Sequence, residues 1–247
     1  MSKHIALAGK GGTGKTTLAA LLVRYLVESK KGAILAVDAD FNSTLNEALG
    51  VQVEDTISNI LADVKKNNVP TGMTKDVFIE LKLHQALTET RDYDLLVMGG
   101  PHGPGCYCFP SEILKRHLDS LEHNYDYMVI DNEAGMEHIS RKTIENIDIL
   151  LVVSDATAKG VRTASRIHDL AKTLKIAIGD AYLIITRIAD ASPLESEIAA
   201  SGLKLLGTVP NDPVLADYDL QGKALLDLPG DSIAVSASRK LYEKLRF

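Results

Sequence analysis

The chain has only two cysteines, Cys106 and Cys108, and both fall in one tripeptide. Two thiols so close form at best a strained bridge, so a disulfide framework is excluded. No apolar stretch is long enough to span a bilayer, and Met1 is not followed by a charged, apolar and cleavable leader. A cytoplasmic protein with no membrane partner is expected. Basic residues are in deficit: the formal net charge is −6. A general nucleic-acid binder needs a basic face, so no nucleic acid is expected as a partner. Long repeats and low-complexity segments are lacking too. The 247 residues, 45% of them hydrophobic, can bury the core of one α/β domain, expected to span 1–247.

The positive signal comes early. Residues Gly9 to Thr17 read GKGGTGKTT, directly after the apolar run His4-Ile5-Ala6-Leu7-Ala8. This is the pattern G-x-x-x-x-G-K-[ST] of a phosphate-binding loop. Glycines let backbone curl around a polyphosphate, and the N–H groups of Gly11, Gly12, Thr13, Gly14, Lys15, Thr16 and Thr17 are placed to face the anion. The dipole of the following helix adds to the attraction. Lys15 reaches the terminal phosphates, and the Thr16 hydroxyl suits Mg²⁺. The same glycines also spell G-x-G-x-x-G, a dinucleotide fingerprint, with Asp38 at the end of the next strand. Lys15-Thr16-Thr17 decides against it, because a dinucleotide turn has no use for that lysine and hydroxyl.

Short runs of apolar, β-rich residues recur at 4–8, 33–37, 94–98, 127–131, 149–153, 182–186 and 205–209. They do not alternate, as expected of parallel strands covered on both faces. Helical patterns separate them at 17–28, 42–49, 56–67, 76–90, 111–123, 139–147, 158–174, 193–201 and 232–246. The predicted fold is a doubly wound, mainly parallel α/β sheet of about seven strands with helices on both faces. Ligands bind such sheets at the carboxyl ends of the strands. That directs attention to the phosphate loop, Asp38-Ala-Asp40, the 99–108 segment and Asp131 onward.

Asp131 ends an apolar strand, where a carboxylate can hold a water of a Mg²⁺ shell; helix capping is the plainer use of such a residue. Asp38 is assigned to the same shell. Asp40 is assigned to orienting the attacking water, with helix capping before Phe41 as the alternative. Asn132-Glu133-Ala134-Gly135 contains a glycine that lets a segment follow the γ-phosphate. The guanine-reading pattern Asn-Lys-x-Asp is not present, since the sixth strand ends Thr186-Arg187-Ile188-Ala189-Asp190. ATP is therefore favoured as the nucleotide. Thr186 and the turn Val209-Pro210-Asn211-Asp212 are candidate contacts to adenine, with an ordinary proline turn equally open at the latter.

Gly99-Gly100-Pro101-His102-Gly103-Pro104-Gly105-Cys106-Tyr107-Cys108 is a stiff loop after a buried strand. Cys-x-Cys offers two soft donors, half of a tetrahedral site, and two copies related by a two-fold axis supply four. On spacing alone, a pair of inert half-buried thiols explains them equally well.

With Lys10 ahead of Lys15, the loop resembles the deviant Walker A motif of the MinD, ParA and nitrogenase-iron-protein class of dimerising ATPases. The segments Glu80–Leu87, Asp94–Gly99, Gly103–Cys108 and Tyr125–His138 look like the CooC-type maturation factors of carbon monoxide dehydrogenase, a likeness that runs over nearly the whole chain. That resemblance implies a homodimeric ATPase, using ATP and Mg²⁺ and leaving ADP. It implies a role in inserting nickel into the active-site cluster of carbon monoxide dehydrogenase, the client. Lys10 then reaches across the dimer to the partner's phosphates, a catalytic role shared with Lys15 and Asp40. Cys106 and Cys108 then hold Ni²⁺ or Zn²⁺ between subunits. Thr186 departs from the asparagine that related ATPases often place there, which puts its contact with adenine in doubt. A cargo-positioning ATPase acting on membrane or DNA is the alternative within the class. It leaves the cysteine loop unexplained, and the weakly amphipathic run Ser232–Phe247 is better read as core packing.

Overall fold

The computed structural model describes residues 2–65, 69–100, 108–133 and 146–247, with the side chains of 65, 75, 76 and 108–112 not described. Strands β1 (Lys3–Gly9), β2 (Ile34–Ala39), β3 (Thr88–Glu89), β4 (Asp94–Val97), β5 (Tyr127–Asn132), β6 (Asn146–Ser154), β7 (Ala177–Thr186) and β8 (Lys204–Val209) form one sheet. Their spatial order is β3-β4-β2-β5-β1-β6-β7-β8. All neighbours are parallel except β3 and β4.

The uniform apolarity of the strands follows from this architecture. Successive side chains point to opposite faces, so a strand covered on both sides needs apolar residues at every position. On β1, Ile5 and Leu7 enter one core layer with Leu18, Leu22 and Leu26 of helix α1 (Lys15–Glu28). Ala6 and Ala8 enter the opposite layer, which includes Ile57 and Leu61 of α3 (Ile57–Lys65) and Leu114 of α5 (Cys108–Leu121). Val161 and Ile167 of α6 (Ala158–Thr173) complete that layer. The remaining helices are α2 (Leu45–Leu49), α4 (Lys75–Ala86), α7 (Glu195–Ser201), α8 (Pro213–Gln221) and α9 (Ile233–Tyr242).

Three expectations need correction. The sheet has eight strands rather than about seven, because Thr88 and Glu89 leave the helical pattern of 76–90 and pair with Leu95 and Asp94 at the sheet edge. Asn146 and Ile147, placed by periodicity at the end of a helix, begin β6; the rest of that segment, 139–145, lies outside the described residues. Helix α8 covers a stretch for which the sequence predicts no helix. None of its residues is buried, so it has no apolar stripe to betray it. Only its ends mark it: Asp212 caps it by accepting from Val214 N (2.8 Å) and Leu215 N (3.3 Å), Pro213 opens it, and Gly222 closes it at φ 61°.

Candidate functional site

The carboxyl edge of the sheet gathers most of the residues that the sequence singles out. The phosphate loop leaves β1 at Gly9, where a Cβ would come within 2.3 Å of the Val153 carbonyl oxygen of β6. Only glycine fits so close to a neighbouring strand. Gly12 (φ 75°) and Gly14 (φ 91°) take left-handed conformations that wind the loop into α1. Helix α1 starts at Lys15, so Lys15, Thr16 and Thr17 lie in its first turn.

The loop is folded on its own backbone. The Lys10 carbonyl accepts from Thr13 Oγ1 (2.8 Å), Thr13 N (3.4 Å) and Lys15 Nζ (3.4 Å). Thr13 and Lys15 are buried, whereas Lys10, Gly11 and Gly12 are exposed. Burial holds the Lys15 ammonium below its ordinary pKa, against the opposing pull of Asp131, Asp40 and Glu133.

Asp38 and Asp131 are register partners on β2 and β5. Thr16 Oγ1 donates to Asp131 Oδ2 at 2.6 Å, and Asp131 Oδ1 is buried without a partner. Burial is the main reason that the Asp131 carboxyl is pushed up to about 6. A hydroxyl beside a carboxylate that has an unfilled buried oxygen is a hard donor set, and it fits Mg²⁺. Thr16 and Asp131 would hold the ion, which would neutralise charge on the phosphates.

Asp38 is engaged differently. Its Oδ1 accepts from Asp40 N (3.0 Å) and its Oδ2 from Leu45 N (2.9 Å), which fixes the loop between β2 and α2. Burial, first of all, pushes its carboxyl up to about 7. Asp40 Oδ1 accepts from Asn42 N (2.8 Å) and Asn42 Nδ2 (3.1 Å), a turn that sets the Asp40 carboxylate beside Lys15. Thr44, in the same loop, lies 3.5 Å from Thr16 by their hydroxyls. Asn132 Nδ2 donates to the Leu7 carbonyl (2.9 Å) and fastens the end of β5 to β1.

The stem of the cysteine segment meets this loop. Met98 N donates to the Asp38 carbonyl (2.9 Å) and Ser58 Oγ to the Gly99 carbonyl (2.7 Å). A Cβ on Gly100 would lie 3.2 Å from the Phe41 carbonyl oxygen. Cys106 lies outside the described residues, and Cys108 opens α5 with its side chain undescribed. Among the described residues, no group of three His, Cys, Asp or Glu side chains could hold a metal ion.

Beyond Gly14, a cavity of about 220 Å³ opens between β7, β8 and α8. Both expected base contacts, Thr186 and Pro210, line it. The Thr186 hydroxyl has the Thr13 carbonyl (2.9 Å) and the Ser154 carbonyl (3.2 Å) as acceptors for its one proton, and its oxygen keeps the capacity to accept. A larger cleft of about 790 Å³ lies between α2 and the end of α8. Thr17 and Asp219 line both spaces. Sequence reasoning missed Asp219 because it sits on the helix that lacks an apolar stripe.

Comparison with known proteins agrees with this geometry. The chain belongs to the CobQ/CobB/MinD/ParA nucleotide-binding domain family, whose model matches residues 5–226. It is a P-loop ATPase of that family. An uncharacterized ATP-binding protein of Methanocaldococcus jannaschii is 40% identical over 247 residues, covering 98% of this chain and 97% of the relative. The carbon monoxide dehydrogenase accessory protein CooC of Rhodospirillum rubrum is 33% identical over 245 residues, covering 91% and 89%. The septum site-determining protein MinD of Pyrococcus horikoshii, solved with Mg-ADP, superposes with a TM-score of 0.74 at 25% identity, covering 99% of this chain and 96% of that one. Among the described residues no helix is long and apolar enough to cross a membrane.

Proposed function

We propose that this chain is a CooC-type metallochaperone: a homodimeric ATPase that carries Ni²⁺ or Zn²⁺ on Cys106 and Cys108 and assists nickel insertion into the active-site cluster of carbon monoxide dehydrogenase. The observation that carries this reading is the full-length likeness to the R. rubrum accessory protein, combined with a Cys-x-Cys segment whose stem touches the nucleotide-site loop.

Lys15 and the loop N–H groups bind the phosphates, and Thr16 and Asp131 would hold Mg²⁺, which would offset phosphate charge. Asp38 keeps the 40–45 loop in register, and Asp40 orients the attacking water. Lys10, exposed at the loop's tip, reaches the partner's phosphates and offsets charge as the transition state forms. Thr186 and Pro210 border the base. ATP tightens the Asp40 loop, and the Phe41–Gly100 contact passes that change to the cysteine stem. Four thiolates from two copies then complete a tetrahedral site. Loss of the γ-phosphate loosens the dimer and frees the ion for the client.

The test is sizing in solution with ADP, ATP and metal, with ions counted per subunit. Changing both Cys106 and Cys108 to serine should abolish metal binding and leave nucleotide binding intact. Stoichiometric metal on the double variant would refute the cysteine site.

A cargo-positioning ATPase is the second reading, favoured by MinD of Bacillus subtilis at 28% identity over 94% of this chain. Co-sedimentation with liposomes or DNA in the presence of ATP would support it over the first.

A further inference from the structure

Helices α4 and α5 pack on the sheet face away from α1, and a cavity of about 220 Å³ lies between them. Ile79 and Leu83 of α4 and Ile113 of α5 give it apolar walls, and His117 lines it. His117 is 4% exposed, and its ring hydrogen-bonds the Leu83 backbone. Nε2 has no partner, so the bonded nitrogen is Nδ1. That bond takes the ring's one N–H and leaves Nε2 with a lone pair. Burial pushes the His117 pKa down to about 4, so Nε2 stays an acceptor at pH 7. Buried polar atoms are nearly always paired, and among the described residues at this cavity Nε2 is the buried one that is not.

The surroundings define what could satisfy it. The exposed His84 stands against the His117 ring at 5.4 Å and 82°. Val77 and Leu81, one turn apart on α4, are 51% and 47% exposed. Sites for drug-sized ligands measure about 300–1,000 Å³, so this cavity suits a single ring. Protein interfaces are anchored by aromatic side chains seated in such pockets, and a buried Tyr O–H or Trp N–H requires an acceptor. The apolar stripe on the same helix favours a polypeptide over a free ring.

We propose that the cavity between α4 and α5 is an anchor site for a tyrosine or tryptophan side chain of a partner protein. The ring rests on Ile79, Leu83 and Ile113 and donates its O–H or N–H to His117 Nε2. Apolar residues flanking it in the partner cover Val77 and Leu81. The entering ring replaces His84, whose exposed side chain turns out to solvent. This site stands whether or not Cys106 and Cys108 carry metal.

Nitrogen NMR of the histidine side chains in the full chain tests this, with N-acetyltyrosinamide, N-acetylphenylalaninamide, p-cresol and acetyl-Leu-Tyr-Leu-amide as probes. N-acetyltyrosinamide should shift the His117 Nε2 resonance and bind about 2–10-fold tighter than its phenylalanine analogue, the worth of one hydrogen bond. His117→Phe keeps a ring and removes the acceptor, so it should erase that ratio and leave ATP hydrolysis unchanged. Val77→Asp combined with Leu81→Asp should weaken the tripeptide by about 10-fold and spare N-acetyltyrosinamide. Equal binding of the two amides, or a ratio that survives His117→Phe, overturns the proposal. If His117→Phe does not fold, an unmoved His117 resonance in the wild type at saturating N-acetyltyrosinamide overturns it. Tighter binding of p-cresol than of the tripeptide makes the cavity a small-molecule site and overturns the protein partner.

Discussion

Asp38 and Asp131 face each other in the register of β2 and β5, yet they are wired for different work. Asp38 has both oxygens filled by backbone N–H groups, whereas Asp131 has one filled by a threonine hydroxyl and one empty. Two buried carboxylates at one sheet edge are costly, and each burial pushes its carboxyl up, to about 7 and about 6. In the proposed mechanism Asp38 holds the loop and Asp131 the Mg²⁺ ion.

Substitutions should separate them. Asp131→Asn preserves shape and removes a charge that burial disfavours, so the nucleotide-free protein should be as stable as the wild type or more so at pH 7. Its Mg²⁺-dependent hydrolysis should fall by about 100-fold or more. Asp38→Ala instead strips partners from the N–H groups of Leu45 and Asp40, at a cost of about 1–3 kcal/mol. Urea unfolding and steady-state ATPase assays on the two variants check the contrast.

Asp40→Ala should leave ATP binding in place while hydrolysis drops by roughly 10²–10⁴, the usual contribution of a positioned general base. Filter binding and phosphate release measure the two halves. Unchanged turnover would remove Asp40 from the mechanism.

Gly9→Ala tests the close approach of β1 to β6. The added methyl would sit 2.3 Å from the Val153 carbonyl oxygen, so the strands must part. Overpacking of this kind costs about 1–3 kcal/mol. Nucleotide affinity should fall as well, because the phosphate loop begins at that residue.

His117 gives a pH signature. It is 4% exposed, Nε2 has no partner, and the ring hydrogen-bonds the Leu83 backbone. Burial, helped by nearby His84, pushes its pKa down to about 4 from 6.5. The unfolded chain therefore binds the extra proton first. This contribution is fully present above about pH 6.5 and is lost as pH falls towards 4, by up to about 3 kcal/mol. His117→Leu should flatten that part of the stability profile, as read by urea unfolding across the pH range.

Much of this was legible from residue order. The unbroken apolarity of Ile5–Ala8 and Leu150–Val153 gave buried parallel strands, and Lys15-Thr16 gave the phosphate site. Local signals failed where a segment buried little. Helix α8 has no buried residue, and β3 is two residues at an edge. Capping residues are the only trace of α8, and Asp212 reads equally well as the end of the turn Val209–Asp212.

Residue order by itself determined the phosphate loop and the doubly wound sheet, because close backbone approach and two-sided burial each demand particular residue types at particular spacings. Tertiary structure decided which donors each carboxylate meets, that Thr186 reaches the Thr13 carbonyl, and that the cysteine stem abuts Phe41. Apart from the local bonds of Asp38 to Asp40 and Leu45, those relations join residues tens to more than a hundred positions apart, and no local pattern encodes which donor reaches which acceptor once the strands are laid side by side.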